Sequence, residues 1–255
     1  MGQIYSNREV FLMITLEHVT KQYAGGKTAV NDLTLHIPAG RVFGFLGPNG
    51  AGKTTTISMI TGILAPTEGH VTVCGHDMKT EPIACKQCLG YVPDAHELFD
   101  RLTGLEYLRF IADMYNVPAD ERTALIEKYS IMFGLTDALS SPVKTYSRGM
   151  KQKLTIIGVL IHQPKVWILD EPMVGLDPHA AHVLKEEMRA HADRGNAVFF
   201  STHVLEVAEK LCDELAIIDD GKLVAQGTLE QLRSGHSGDS LEQLFLRLTE
   251  GGADA

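Results

Sequence analysis

The chain lacks the features that mark a membrane-spanning, a secreted or a nucleic-acid-binding protein. No apolar run approaches the roughly 20 residues that a spanning helix needs, and no basic stretch interrupts a sequence whose formal net charge is −9. Arg8 and Glu9 precede only a short apolar stretch, without the basic start and small-residue cleavage site of a signal peptide. We therefore expect a cytosolic protein with no dedicated surface for nucleic acid.

Cysteine is also scarce, with four residues in a chain of 255. Cys85 and Cys88 have the C-x-x-C spacing of a redox pair or of half a zinc site. No second ligand pair of suitable spacing follows them, and no thioredoxin-like βαβ pattern surrounds them. We interpret the thiols as reduced and structural. Hydrophobic residues make up 44% of the chain, an ordinary share for a soluble globular protein that can bury a large core.

The most informative stretch is residues 42–55, where an apolar run ends in a glycine-rich turn followed by Lys53 and Thr54. Gly47, four intervening residues and Gly52-Lys53-Thr54 match the P-loop pattern G-x-x-x-x-G-K-[ST]. Such a loop points backbone N–H groups at an anion, and the following helix adds the positive end of its dipole. Lys53 would reach the β- and γ-phosphates, and the Thr54 hydroxyl would bind Mg²⁺. The sequence therefore predicts a nucleoside triphosphate site.

Two acids, Asp170 and Glu171, follow the continuous apolar run 166–169, which is typical of a buried parallel strand. Ligands of open parallel sheets bind at the carboxyl ends of the strands. Asp170 would hold Mg²⁺, and Glu171 would act as the general base for the attacking water. His203 follows another apolar run, residues 197–200, and could approach the γ-phosphate there.

A second anion-binding end is predicted at residues 146–152, where Ser147 is a plausible N-cap before a helix. Taken alone, this could be an ordinary helix cap. Alternating strands before the P-loop predict an N-terminal antiparallel β-subdomain. Between Pro93 and Ser147 the patterns predict helices and no convincing strand, as expected for a helical lobe inserted into an α/β core.

The order of these motifs resembles the ATPase subunit of an ABC transporter. The resemblance rests on the P-loop, Gly-Tyr-Val-Pro, Ser-x-Gly before a helix, Asp-Glu-Pro, Gly-Leu-Asp-Pro and Ser-Thr-His, and it covers about residues 13–250. It implies that Tyr23 stacks on adenine and that Ser147 and Gly149 contact the γ-phosphate of ATP bound to a partner subunit. Asp177 would lie in the D-loop, and His203 would be the switch histidine. The predicted phosphate-binding residues are Gly47, Asn49, Gly50, Ala51, Gly52, Lys53, Thr54 and Thr55.

The resemblance also implies a fold class: α/β, a P-loop NTPase core with a mostly parallel sheet, an N-terminal antiparallel β-subdomain and an inserted α-helical subdomain. We expect an extension over residues 1–12, the ATPase domain over 13–228 with its helical lobe at about 95–160, and a C-terminal helical tail over 229–255. Two such subunits would close head to tail over two Mg-ATP and drive separate membrane subunits from the cytoplasmic face. The second ATPase subunit could be the same chain or a different one.

The sequence departs from the family pattern in two places. The family signature is usually Leu-Ser-Gly-Gly-Gln, whereas this chain has Tyr146-Ser147-Arg148-Gly149-Met150. The loop joining core and lobe usually carries Gln, whereas Asp94 stands here and would reach the metal directly or through a water. At both places the sequence resembles the ATPase subunits of bacterial exporters, and this resemblance predicts export. The alternatives are a soluble ABC ATPase acting on a ribosomal, DNA or assembly partner, and a regulatory module that binds ATP without hydrolysing it.

Overall fold

The computed structural model describes residues 11–95, 98–234 and 240–250. Two sheets organise this part of the chain. One has four strands in the order β2 (Thr28–Pro38), β1 (Leu12–Gln22), β4 (Glu68–Val73) and β5 (His76–Asp77). The other has six in the order β10 (Lys222–Gly227), β9 (Glu214–Asp219), β3 (Arg41–Leu46), β8 (Ala197–Thr202), β7 (Val166–Asp170) and β6 (Leu89–Val92). The predicted fold class, an α/β P-loop core with an antiparallel β-subdomain and an inserted helical subdomain, is confirmed.

The four-stranded sheet is antiparallel throughout. Its alternating apolar residues point to one face, because successive side chains of a strand lie on opposite sides.

The six-stranded sheet is parallel except at β10, which pairs antiparallel with β9. The carboxyl end of β3 therefore lies beside that of β8, which in turn lies beside that of β7.

Helices surround the sheets and form the lobe. A capping box begins one helix of the lobe at Thr103, whose hydroxyl accepts from the Glu106 N–H while the Glu106 carboxylate accepts from the Thr103 N–H. The helices are α1 (Lys53–Ile60), α2 (Pro82–Cys88), α3 (Gly104–Met114), α4 (Ala119–Met132), α5 (Arg148–Ile161), α6 (Pro178–Asp193), α7 (Leu205–Leu211), α8 (Leu229–Arg233) and α9 (Leu241–Glu250).

Both faces of the parallel sheet are buried, which explains the continuous apolar runs of its strands. Phe43, Phe45 and Phe199 face the antiparallel sheet, with Phe45 and Phe199 ring centroids 5.3 Å apart. Trp167 and Phe200 face the helices of the lobe on the other side. The core thus holds the carboxyl ends of β3, β7 and β8 in fixed register.

Each of the predicted segments contains residues that the structure describes. Residues 1–10 of the predicted extension lie outside the described part of the chain, and Leu12 already belongs to β1. The predicted lobe, residues 95–160, contains α3, α4 and most of α5. In the predicted tail, Leu241 and Leu244 of α9 are buried against a cluster that includes Ala208 of α7.

The C-x-x-C pair lies in and at the end of α2. Cys85 is buried in α2 and its thiol donates to the His76 carbonyl oxygen at 3.3 Å. In the part of the chain that the structure describes, no three His, Cys, Asp or Glu side chains are grouped closely enough to hold a metal. Within the same residues, no helix has the length and apolar character needed to cross a membrane.

Candidate nucleotide site

The phosphate-binding loop connects β3 to α1 and is shaped by two glycines that no other residue can replace. A Cβ on Gly47 would lie 2.4 Å from the Ile218 carbonyl oxygen. Gly52 has φ +107°, and a Cβ there would lie 2.6 Å from the Ala29 carbonyl oxygen. These distances are far below van der Waals contact, and the φ of Gly52 is strained for an L-residue. The loop is therefore packed against neighbouring backbone in its curled form.

Lys53 begins α1 and folds its side chain back over the loop. Its Nζ donates to the carbonyl oxygens of Gly47 at 2.6 Å and Pro48 at 3.1 Å. Burial lowers the pKa of Lys53, and the nearby carboxylates of Glu171 and Asp170 oppose that shift. The ammonium is thus held beside the loop, where an arriving phosphate would replace the carbonyl oxygens as its partner.

Asp170 ends β7 and is buried, with 3% of its surface exposed. Its Oδ1 accepts a hydrogen bond from the Ser201 hydroxyl at 2.5 Å, and its Oδ2 accepts one from the Thr54 hydroxyl at 3.0 Å. Two of the oxygens predicted to bind Mg²⁺, on Thr54 and Asp170, are therefore neighbours. Hard oxygens in this arrangement suit Mg²⁺, which in phosphate sites takes one or two carboxylates and completes its shell with phosphate and water.

Glu171 and His203 lie at the ends of neighbouring strands. The Glu171 Oε1 is 2.9 Å from the His203 Nδ1. Glu171 has φ +49°, an uncommon conformation for a residue with a side chain. Its N–H donates to the Ser201 hydroxyl at 3.2 Å and to the Ser201 carbonyl oxygen at 3.3 Å. These bonds support the turn that aims the carboxylate away from the strand.

The nucleotide cavity has a volume of about 520 Å³ and brings most of the predicted residues together. Tyr23 forms part of its wall, and 43% of Tyr23 is exposed; its contact with adenine stays a prediction. The predicted residues in its lining are Tyr23, Asn49, Gly50, Gly52, Lys53, Thr54, Thr55, Asp94, Asp170 and Glu171. His203 joins this group through its contact with Glu171. Gly47 and Ala51 belong to the same loop but are not among the described residues that line the cavity.

Ser147, Gly149 and Asp177 are brought together elsewhere. Among the described residues, none of the three is part of the cavity lining. The Ser147 hydroxyl caps α5 by accepting from the Met150 N–H at 3.2 Å, and Asp177 Oδ2 pairs with Lys153 Nζ at 2.6 Å. That lysine also lowers the pKa of Asp177. A Cβ on Gly149 would lie 2.5 Å from the Gly175 carbonyl oxygen, so the signature helix packs directly on the loop that carries Asp177.

The unusual tyrosine of the signature has a specific place. Tyr146 is buried, and its hydroxyl donates to the Ala138 carbonyl oxygen at 2.6 Å. A Cβ on Gly104 would lie 2.2 Å from that hydroxyl oxygen. The larger side chain therefore fits because α3 begins with glycine. Tyr146, in place of the usual Leu, fills a space inside the lobe. The direction of the Ser147 side chain is set by its hydrogen bond at the N-terminus of α5.

Three residues that line the site or contact its members were not assigned from the sequence: Ser201, Lys27 and Arg148. Ser201 binds Asp170 and supports Glu171, and a serine at the carboxyl end of a buried strand beside the acids was the available signal. Lys27 lines the cavity as a further cation, and nothing in its local pattern indicated this. Arg148 pairs with Asp94, with Nη2 and Oδ1 3.1 Å apart. That contact joins positions 54 residues apart and has no local signature.

Comparison with known proteins identifies the family of the chain. The family model described as ABC transporter matches residues 30–174, more than half of the chain. The chain belongs to the ABC transporter family. It is an ATP-binding subunit of this family and an ATPase, and the predicted function at this level is confirmed. ATP is therefore its nucleotide.

The similarity of this ABC ATPase to its relatives extends over most of its length. It is 38% identical over 235 residues to the linearmycin resistance ATP-binding protein LnrL of Bacillus subtilis (strain 168), covering 91% of this chain and 74% of LnrL. It is 35% identical to the Nod factor export ATP-binding protein I of Paraburkholderia xenovorans (strain LB400), covering 91% and 76%. A solved ATP-binding subunit of an ABC transporter superposes with a TM-score of 0.89 at 33% identity, covering 92% of this chain and 99% of that one.

Proposed function

We propose that this ABC ATPase closes head to tail with a second ATPase subunit over two Mg-ATP, and that this closure drives separate membrane permease subunits in export. The observation that carries the dimer is the separation of two groups of residues. The phosphate loop, Asp170, Glu171 and His203 surround one cavity, whereas Ser147 and Gly149 do not line it. The signature residues then need a nucleotide held by another subunit, and ABC ATPases do act as dimers within transporter complexes.

Within each cavity, the side chains divide the work of hydrolysis. Lys53 exchanges its loop carbonyls for the β- and γ-phosphate oxygens and offsets their charge. Glu171 takes a proton from the attacking water as general base. His203 holds the Glu171 carboxylate through Nδ1, so that the ring orients the base and faces the γ-phosphate with its other nitrogen. Tyr23 stacks on the adenine.

The metal would be held by Thr54 and Asp170, with Asp94 reaching it directly or through a water. When bound, Mg²⁺ would neutralise part of the triphosphate charge. Ser201 prepares this position because its hydroxyl fixes one Asp170 oxygen and leaves the other pointed at Thr54. The chain thus holds one buried carboxylate in a fixed direction beside Thr54.

The export direction is supported by the relatives named for resistance and for Nod factor export. The proposal also places the subunit on the cytoplasmic face of the membrane. Phe99 and Phe110 of the lobe are exposed by 55% and 39% and pack edge to face with ring centroids 5.3 Å apart. Exposed aromatic pairs are frequent anchors of protein interfaces. We assign this pair to the contact with the permease.

The test is affinity capture of tagged protein from detergent-solubilised membranes of its own cell, with mass spectrometry. We expect one polytopic membrane protein at near-equal amount, retained by Ile131→Ser and lost from Phe99→Ser/Phe110→Ser. Ile131 is a matched control because it is 63% exposed on another helix of the lobe. Recovery only with ribosomal or repair proteins would instead favour a soluble ABC ATPase.

The direction of transport needs a second measurement. Once the membrane partner is known, its cargo can be followed in inside-out vesicles containing both proteins. ATP-dependent uptake into such vesicles corresponds to export from the cell. Uptake in right-side-out vesicles with internal ATP would contradict the proposed direction.

A further inference from the structure

Residues from the two places at which the sequence departs from the family pattern, Asp94 and Arg148, contact each other. Arg148 stands between Ser147 and Gly149, and its Nη2 lies 3.1 Å from the Oδ1 of Asp94. Asp94 lines the nucleotide cavity of the same chain. A single ion pair therefore connects the wall of this cavity to the residues that are proposed to reach the nucleotide of the partner.

The Arg148 side chain, on α5, also packs against the loop that leads to Asp177. A Cβ built on Gly175 would be 3.7 Å from the Arg148 Cγ and 3.9 Å from its Cδ, so the aliphatic stem passes over this glycine. Its neighbour Gly149 packs on the Gly175 carbonyl oxygen. The guanidinium is thus oriented from two sides, by Asp94 at its tip and by the loop along its stem.

The pair contributes little to folding stability. The side chains of Arg148 and Asp94 are 63% and 52% exposed, and solvent screens the attraction within ion pairs of this kind. An exposed pair can also be exchanged at small cost. The Asp94 carboxylate lines the cavity where the triphosphate and a divalent cation would arrive. The cation would compete with Arg148 for the carboxylate, and the phosphate charge would repel the carboxylate.

We propose that Arg148 is a positioning residue, and that its pairing with Asp94 couples the occupancy of a subunit's own nucleotide cavity to the placement of Ser147 and Gly149 at the partner's nucleotide. The inference rests on the proposed head-to-tail dimer. Arg148 acts through Asp94 and the α5 N-terminus rather than on reacting atoms. Such a coupling links two sites through one shared contact and is reciprocal between them.

The test is a double-mutant cycle on ATP-driven dimerisation, in a Glu171→Gln background that slows turnover. Asp94→Asn, Arg148→Gln and the double variant are compared by sedimentation across a titration of Mg-ATP. We expect each single change to raise the ATP concentration at half-dimerisation by about fivefold, and the double change to raise it no further. Arg148→Lys, which keeps the charge, should recover most of the loss.

Binding of a fluorescent ATP analogue to the monomer separates positioning from nucleotide affinity. Arg148→Gln should leave the monomer dissociation constant within about twofold, because Arg148 is not part of the cavity lining described by the structure. Lys151→Gln is the matched control. Lys151 lies on the same helix and pairs with Asp100 at 3.1 Å, and Asp100 is likewise not in the cavity lining described by the structure.

Three outcomes would overturn the coupling: an unchanged midpoint for Arg148→Gln, an effect of Arg148→Gln that Asp94→Asn does not share, or effects that multiply in the double variant. The second would mean that Arg148 contacts the partner's nucleotide directly. Absence of any ATP-driven dimer in the Glu171→Gln parent would instead overturn the head-to-tail dimer itself. The two failures are therefore distinguishable.

Discussion

The Glu171 carboxylate and the His203 ring form one unit, with Oε1 and Nδ1 2.9 Å apart across the ends of neighbouring strands. The contact with His203 and the hydrogen bond from the Glu171 N–H to the Ser201 hydroxyl together fix the position of Glu171. Glu171 is largely shielded, with 15% of its side chain exposed, whereas His203 is 60% exposed. The exposed ring is therefore the member of the pair that can respond to what enters the cavity.

Glu171→Gln should reduce steady-state phosphate release by about 10²–10⁴-fold, the range expected for loss of a general base. Glutamine has the same shape and keeps the backbone bonds at Ser201, so ATP affinity should stay within about threefold of the parent. Glu206→Gln is the control, since Glu206 is exposed on α7 and pairs with Lys210. A Glu171→Gln protein that still turns over at the parental rate would exclude Glu171 as the base.

Gly149→Ala should abolish ATP-driven dimerisation while the monomer still binds ATP. The added Cβ would lie 2.5 Å from the Gly175 carbonyl oxygen, so either α5 or the loop before Asp177 must move. The measurement combines nucleotide titration with sedimentation in Mg-ATP.

Gly158→Ala in the same helix is the matched control. Its Cβ would have its nearest neighbours at 3.5 Å, which is ordinary contact. Alanine should fit there and stabilise the helix by about 0.5–1 kcal/mol. If both alanine variants behaved alike, close packing of Gly149 on the Gly175 loop would not explain the requirement for glycine.

The nucleotide site was largely predictable, because each of its motifs is local and the parallel sheet gathers strand ends. Lys53, Asp170 and His203 were assigned from short patterns that follow apolar runs, and the order of β3, β8 and β7 brings them together. The Asp94–Arg148 pair was not predictable. It depends on how far two exposed side chains reach across the boundary between core and lobe, and no periodicity of sequence records that distance.

The same limit applies to contacts that satisfy buried atoms. The bond between Ser201 and Asp170 requires adjacent strands in a definite register, which pairs these two residues. Likewise, Tyr146 fits only because Gly104 begins α3 on the opposite wall of the lobe. Both follow from tertiary packing rather than from the local sequence around either partner.

Ser201→Ala should lower the free energy of unfolding by about 1–3 kcal/mol, because a buried Asp170 oxygen would lose its donor. Urea denaturation at neutral pH measures this loss. Ser58→Ala is the control, since the exposed Ser58 hydroxyl donates to the Thr54 carbonyl oxygen within the same helix at 2.7 Å. It should cost under about 0.5 kcal/mol. Equal losses for the two variants would contradict the role given to Ser201.

Acid should destabilise the fold through two histidines, the buried His191 and the partly buried His162. His162 stacks on Tyr115 with ring centroids 3.7 Å apart, and His191 stacks on Trp167 at 4.2 Å. Burial lowers the pKa of each to about 4, and Arg194 adds to the shift at His191. Between that value and the usual pKa of about 6.5, the unfolded chain binds protons that the folded chain does not.

Stability should therefore be full above about pH 6.5 and fall as the pH decreases toward 4, by at most about 1.4 kcal/mol per pH unit for each histidine. Glu214 opposes this trend, because burial raises its pKa, so the comparison is made between variants at each pH. His162→Phe/His191→Phe keeps aromatic rings in both places and removes the titration. Urea midpoints from pH 7.5 to 5.0 should then decline less steeply than in the parent. A double variant as sensitive to acid as the parent would show that other groups carry the dependence.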